Sequence, residues 1–472
     1  MEKRLDSSMH DRLSVMLDAL TSHPPPDSWS TVLQSERPSR QQIKRALDKL
    51  LNAIGRLDSQ TLSSQPAIKA RLNVHHELVM ASLMRIGGST DAALIGYQHA
   101  LDAADRYHLT DYCITAASAL RQMAVAHNEV REYRQYCSLI ERLRSTQIAE
   151  IEAGSIEDEA HLSLYNYHRN PEKVDAQLRA MIARLEDLAS EHGSVPVMRS
   201  YYRVSLWHAS IIADSRLMLD LIESFEAWIA LHPEISIPAD RIEIQSVRMS
   251  AYFLNANYTA ARRSWARAQD VLRPGTQNWA ALLQLYFLVC TQSHRFDDAR
   301  DLIHEYDQYQ TRKLPPWRRQ ELEVYRAYIH LLIDHNVIEP GPFIEHHGTY
   351  IARLEKNSAD LVRDKPIMNT ALLVLRVFQL LKNRKRGELI ELTESLRTYA
   401  TRYLRNRHTQ RTGRFLRLLT SLPACEFNRD LVLKRMQELK HKYPLADAKS
   451  RDDGEIIPFD TLEHILLTKL LK

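Results

Sequence analysis

One pattern recurs along the chain: a short polar turn, then a helical face on which small and aromatic residues alternate. In the segment DAALIGYQHALDAADRY, Ala93, Tyr97, Ala100 and Ala104 lie at positions i, i+4, i+7 and i+11, which is one face of an α-helix. The preceding GGSTD predicts a tight turn with a helix-capping residue. The amphipathic segment before that turn predicts another helix, so the repeated unit is helix, turn, helix.

The same unit occurs again later in the chain. Two segments place aromatic, small and bulky residues at matching offsets: Tyr258, Ala261, Trp265 and Ala268 in the first, and Phe296, Ala299, Ile303 and Tyr306 in the second. A small residue lets two helices approach closely, and the bulky residues seal the next layer. Weaker copies contain Tyr133, Asp220 and Leu389 at the anchor position, and several anchors are 40, 41 or 38 residues apart. We predict an all-α array of antiparallel helix pairs, with irregular helical bundles as the alternative.

Composition favours the same fold class. The 472 residues include only 12 glycines, under half the average frequency of about 7%, which leaves few for β-hairpins or phosphate-binding loops. The four cysteines are scattered, which is typical of buried thiols in a reducing compartment. The N-terminus has no apolar core of a secretory signal, and the longest apolar run is shorter than a membrane span. A cytoplasmic protein without a membrane partner is therefore expected.

The repeated pattern resembles the second helix of the tetratricopeptide repeat. The segment GGSTDAALIGYQHAL places Gly88, Ala93, Tyr97 and Ala100 at the turn-glycine, small, aromatic and small positions of that family. Of the family's first-helix positions, only the one at Ala81 carries a suitable residue. The resemblance implies a right-handed α-solenoid with a period longer than the usual 34 or so residues. The whole chain is also similar to bacterial helical-repeat proteins of about this length, a similarity that implies no activity.

Breaks in the pattern predict four parts. We expect an N-terminal helical segment in residues 1–65, tetratricopeptide-like repeats in 66–335, divergent basic helical repeats in 336–445, and a loop with a capping helix in 446–472. The breaks are marked by HPPPDSW, LPPWRRQEL, IEPGPF and ADAKSRDDGEIIP. In the first part, the basic helix that follows Ser39 is either a packing helix or a DNA-recognition helix. The final helix is expected to cover the last repeat, because solenoids need closed ends.

The sequence contains none of the common catalytic or cofactor motifs. Nucleotide-binding glycine loops, the nucleophile elbow and the zinc-protease motif are all missing. The adjacent pairs His75–His76 and His346–His347 would point about 100° apart on a helix, which does not suit one metal ion. We expect a non-catalytic protein with no cofactor and no metal. The alternative is an enzyme whose catalytic residues come from distant repeats.

The resemblance also implies a binding groove. Tetratricopeptide arrays hold extended peptides or partner helices in a concave groove lined by the first helix of each pair. Carrying the family's groove positions over by offset gives Arg85, Gln122, Tyr202, Ser246 and Gln284. The expected function is a protein–protein interaction scaffold, and its partner is a protein or peptide that the sequence does not identify.

Positive charge is concentrated near the C-terminus. Residues 376–451 contain 19 Lys and Arg against 7 Asp and Glu, and RTYATRYLRNRHTQRTGRFLR carries seven arginines without an acid. On a continuous helix, Arg407, Arg411 and Arg414 form one stripe, and Arg402 and Arg405 lie beside it. These five arginines are the predicted anion-binding residues. Three interpretations stay open: a solvated face, a surface for an acidic protein, and a nucleic-acid site. The alternative function is therefore a nucleic-acid-binding or regulatory protein that uses this basic third.

Overall fold

Helices make up all the extended regular structure in the described part of the chain. The computed structural model describes residues 66–164, 167, 170–235, 237–270, 272–309, 314–341, 366–403, 410–444 and 455–471. These residues form seventeen α-helices and no β-strand, which confirms the all-α prediction. None of these helices is both long and apolar enough to cross a bilayer. The predicted N-terminal segment, residues 1–65, lies outside the described residues.

The contacts divide the chain into two units, Met1–Tyr136 and Cys137–Lys472. The described part of unit 1 contains α1 (Pro66–Ile86), α2 (Thr90–Arg106) and α3 (Thr110–Ala126). The long helix α4 (Val130–Leu164) begins in unit 1 and continues in unit 2. The four-part organisation expected from the sequence stays a prediction.

Helices α1 and α2 of unit 1 pack through small residues. A Cβ atom placed on Gly96 of α2 would lie 3.0 Å from the Cβ of Ala81 on α1, so only glycine fits this contact comfortably. Ala93, Tyr97 and Ala100 are all buried, and the Tyr97 hydroxyl is 2.9 Å from the Ser82 hydroxyl. The small–aromatic–small spacing therefore marks the helix contact, as the sequence predicts.

Unit 2 contains the remaining thirteen helices. They are α5 (Pro171–His192), α6 (Val195–Ile211), α7 (Ser215–Leu231), α8 (Pro238–Leu254), α9 (Tyr258–Gln269), α10 (Gln277–Gln292), α11 (Phe296–Gln308), α12 (Pro316–Asp334), α13 (Pro366–Lys382), α14 (Arg386–Tyr403), α15 (Gln410–Thr420), α16 (Arg429–Lys442) and α17 (Phe459–Ile465). From α5 to α16 each described helix contacts the next one, and α6, α8, α10 and α12 also contact one another in order. We call these four the first helices, and α7, α9 and α11 the second helices.

The same left-handed turn joins each first helix to the helix or segment that follows it. Ala213, Ala256, His294 and Asn336 have φ values of 55°, 51°, 56° and 53°. In each turn the next backbone N–H donates to the carbonyl five residues earlier, at 2.8–3.1 Å, which is a Schellman geometry. The four residues are 43, 38 and 42 positions apart. The scarcity of glycine thus does not exclude tight turns, because alanine, histidine and asparagine occupy positions that usually favour glycine.

A large hydrophobic core with aromatic residues at its centre occupies the later part of unit 2, from Met249 to Leu471. Trp279, Phe287 and Tyr325 are almost fully buried, and the rings of Phe287 and Tyr325 stack with centroids 4.8 Å apart. All four cysteines of the chain lie in the described residues, none of them is in a disulfide bond, and three of them are buried. The burial of these aromatic side chains removes large apolar surfaces from water and is the main stabilising contribution to this core.

The C-terminal segment, Glu455–Leu471, is part of this core. Its π-helical stretch, Leu466–Leu470, contacts α13 and α16. Two side chains at the end of α10 bind its backbone: the Thr291 hydroxyl donates to the carbonyl of Ile456 at 2.7 Å, and the Gln292 amide donates to the carbonyl of Glu455 at 2.6 Å. The final helix expected from the sequence is present as α17, and the segment that carries it reaches back as far as α10.

Candidate partner-binding face

Three polar side chains occupy one equivalent place on consecutive first helices. Arg203 on α6, Ser246 on α8 and Gln284 on α10 each lie ten residues before the left-handed residue of their turn, and each is half-buried. We call these three residues the first-helix row. Equivalent positions on stacked repeats lie on the same side of an array. Two of the five predicted groove residues, Ser246 and Gln284, therefore belong to one row.

Arg203 is the centre of a charged cluster between three helices. Its Nε atom donates to Glu243 of α8 at 2.8 Å, and its Nη1 atom donates to Glu157 of α4. The indole N–H of Trp207 also donates to Glu243. Burial raises the pKa of Glu243, while Arg203 and Trp207 favour its charged form. Burial opposes the charge on Arg203, but Glu243 and Glu157 outweigh that effect and raise its pKa.

A second polar cluster surrounds Gln284. Its amide nitrogen donates to the Tyr325 hydroxyl at 2.7 Å, and its amide oxygen accepts from Arg318. Arg318 also binds Glu321, whose side chain is only 3% exposed, at 2.9 Å. Tyr325, Arg318 and Glu321 all belong to α12, so Gln284 connects two consecutive first helices. Ser246 makes a smaller contact, in which its hydroxyl donates to the carbonyl of Ile242 at 2.9 Å.

Tyr202 precedes Arg203 of the row by one residue, and its side chain packs against α7. Its ring stacks on Phe225 of α7 with centroids 4.8 Å apart, and Trp228 is 5.8 Å away. Burial raises the pKa of its hydroxyl. The ring of this predicted groove residue therefore contributes to packing between α6 and α7.

The two predicted groove residues of unit 1 bind each other. Arg85 of α1 donates from Nη1 to the amide oxygen of Gln122 of α3 at 3.0 Å, and both side chains are exposed. A second pair, Arg71 and Asp111, joins the same helices at 3.2 Å. Polar contacts between alternate helices thus occur in both units.

Sequence reasoning did not find the carboxylates that bind Arg203. Glu157 and Glu243 lie 46 and 40 positions from it, and no local periodicity connects residues at such distances. The sequence contained one relevant signal: Glu243 lies 40 residues after Arg203, and this distance is close to the spacing of the repeats. The carboxylate pair is fully engaged by Arg203, Ser200 and Trp207, so the cluster fixes the relative positions of α4, α6 and α8.

Two of the five predicted anion-binding arginines are described in full. Arg405 and Arg407 lie outside the described residues, and Arg402 belongs to α14. Arg414 is half-buried in α15. Arg411 was expected on the solvent side, but its side chain is 17% exposed and binds Glu455. Anion binding by this stretch stays a prediction.

In the Arg411–Glu455 ion pair, the carboxylate of Glu455 is fully buried and the Arg411 side chain is partly exposed. Glu455 is 0% exposed and accepts from Nε of Arg411 at 2.7 Å and from Nη2 at 2.9 Å. It also accepts from the backbone N–H of Phe459, at the start of α17, at 2.8 Å. One arginine of the basic stretch therefore attaches the C-terminal segment to α15.

The comparisons with known proteins leave the chain without an assigned family. No protein-family model matches it, and no curated protein matches it significantly.

Proposed function

We propose that the chain is a non-catalytic scaffold that binds an extended peptide or a partner helix along the first-helix row. We further propose that the array is a right-handed, tetratricopeptide-like solenoid. The observation that supports this most is the row itself: Arg203, Ser246 and Gln284 are polar, half-buried and equivalent on three first helices that contact one another. A core position at the same place would be apolar.

The spacing of such a row suits an extended ligand. Packed helices are about 8–10 Å apart, and an extended chain rises about 3.3 Å per residue. One repeat therefore matches about three residues of an extended peptide. Arg203 and Gln284 already bind side chains of neighbouring helices, so an extended peptide would contact the exposed remainder of these residues. Crevices between helices would select its side chains.

A matched pair of serine substitutions tests the proposal. Ser246 of the row and Ser224 of α7 both donate to the carbonyl four residues earlier, at 2.9 and 3.0 Å, but Ser224 lies on a second helix. We expect Ser246→Arg to remove specific partners that the parent chain captures from its source cells, because the long cation obstructs the row. Ser224→Arg should retain them.

Both variants should show the parent circular dichroism spectrum, so that a loss reports on the surface. Equal capture by the two variants would contradict the proposal. Captured material that disappears after nuclease treatment and binds with a steep salt dependence would favour the nucleic-acid alternative instead.

A further inference from the structure

A cleft between α7, α8 and α9 has an apolar floor and two arginines among its lining residues. Its volume is about 400 Å³, within the range of small-molecule sites, about 300–1,000 Å³. Arg241 and Arg267 line the cleft and are exposed. The apolar lining residues that form the floor are Ile229, Ala230, Pro233, Ile242, Ile244, Ala268 and Leu272.

The charges around this cleft are not balanced. Glu226 also lines it, but this carboxylate is already bound by Arg248. In the stretches of chain that the structure describes, neither Arg241 nor Arg267 forms a hydrogen bond or an ion pair. Two positive charges therefore adjoin an apolar surface, and no carboxylate among the described residues pairs with either of them.

We propose that this cleft binds a small amphipathic anion, with its apolar body on the floor and a carboxylate or phosphate head group at Arg241 and Arg267. Guanidinium groups bind both anions through paired, charge-assisted hydrogen bonds. The apolar body covers the floor and removes its apolar surface from water, which contributes favourably to the free energy of binding. A small inorganic anion without an apolar body would lack this contribution. None of the three residues of the first-helix row lines the cleft, and the proposal does not depend on the scaffold function.

Two dyes with the same apolar body provide the test. Anilinonaphthalene sulfonate carries an anionic group, and phenylnaphthylamine lacks it. In the full chain, we expect the double variant Arg241→Gln/Arg267→Gln to weaken binding of the anionic dye about tenfold or more, because two charge-assisted contacts are lost. Binding of the neutral dye should stay within about twofold. Ala230→Trp, which fills the cleft, should abolish binding of both.

The control is the neighbouring pair Arg262→Gln/Arg263→Gln on exposed positions of α9, which should leave both affinities unchanged. An anionic-dye affinity that is the same in the Arg241/Arg267 variant and the parent would overturn the proposal. Competition by decanoate or decyl phosphate identifies the head group that is preferred. Equal competition by decanol would show that the arginines do not select an anion, and would also overturn it.

Discussion

Replacing Arg411 by glutamine should destabilise unit 2 far more than the loss of a solvent-exposed arginine would. The substitution removes both guanidinium donors from Glu455, whose carboxylate is 0% exposed. Among the described residues, the N–H of Phe459 is the donor that remains. Removing one partner of a buried ion pair costs about 3–5 kcal/mol. Arg411 retains 17% exposure and one hydrogen bond to Glu455 survives, so we expect the lower end, about 3 kcal/mol.

The assay is urea unfolding followed by far-ultraviolet circular dichroism, with Arg414→Gln as the control. Arg414 belongs to the same stretch but makes no ion pair within the described residues, and its loss should cost less than about 0.5 kcal/mol. The double variant Arg411→Gln/Glu455→Gln should be more stable than Arg411→Gln alone, because a neutral amide replaces the unpaired charge. Equal midpoints for Arg411→Gln and Arg414→Gln would refute this reasoning.

Three further changes have defined outcomes. Ala256→Gly should raise the free energy of unfolding by about 0.5 kcal/mol, because Ala256 is exposed and has a φ of 51°, where glycine is unstrained; a lower urea midpoint would contradict this. Ala261→Leu, at a fully buried position, should lower the free energy of unfolding by about 1–3 kcal/mol by overpacking, and an unchanged melting temperature would refute it. Burial lowers the pKa of His335, so the unfolded chain binds the proton first and stability falls as the pH drops below about 6.5. The melting temperature of His335→Asn should therefore fall less than that of the parent chain between about pH 7.5 and 5.5. An equal fall in both proteins would show that His335 does not cause this pH dependence.

The sequence predicts the helices and their local contacts well, because both depend on residues a few positions apart. Ala93, Tyr97 and Ala100 are buried as their spacing requires, since a helix brings residues three, four and seven positions apart onto one face. Ala261 is likewise fully buried. Such patterns depend only on the helical period, which can be read without knowing what packs against the helix.

Contacts between distant segments were not predictable in the same way. The bond from Thr291 to Ile456 joins residues 165 positions apart, and no period of the array relates them. Arg411 was expected on the solvent side of a helix, but its position depends on Glu455, which lies 44 residues away. Charged residues at helix surfaces are usually solvated, so only the fold identifies the arginine that has a buried partner.

Site-specific photocrosslinking in the source cells tests the central claim most directly. A photoreactive phenylalanine derivative would replace Ser246 of the first-helix row, and in separate experiments Ser224 of α7 and Arg263 of α9 on second helices. If the row binds the partner, the Ser246 position should yield a discrete protein adduct that Ser224 and Arg263 do not yield. Adducts of the same protein from the second-helix positions, with none from Ser246, would show that the partner binds another face.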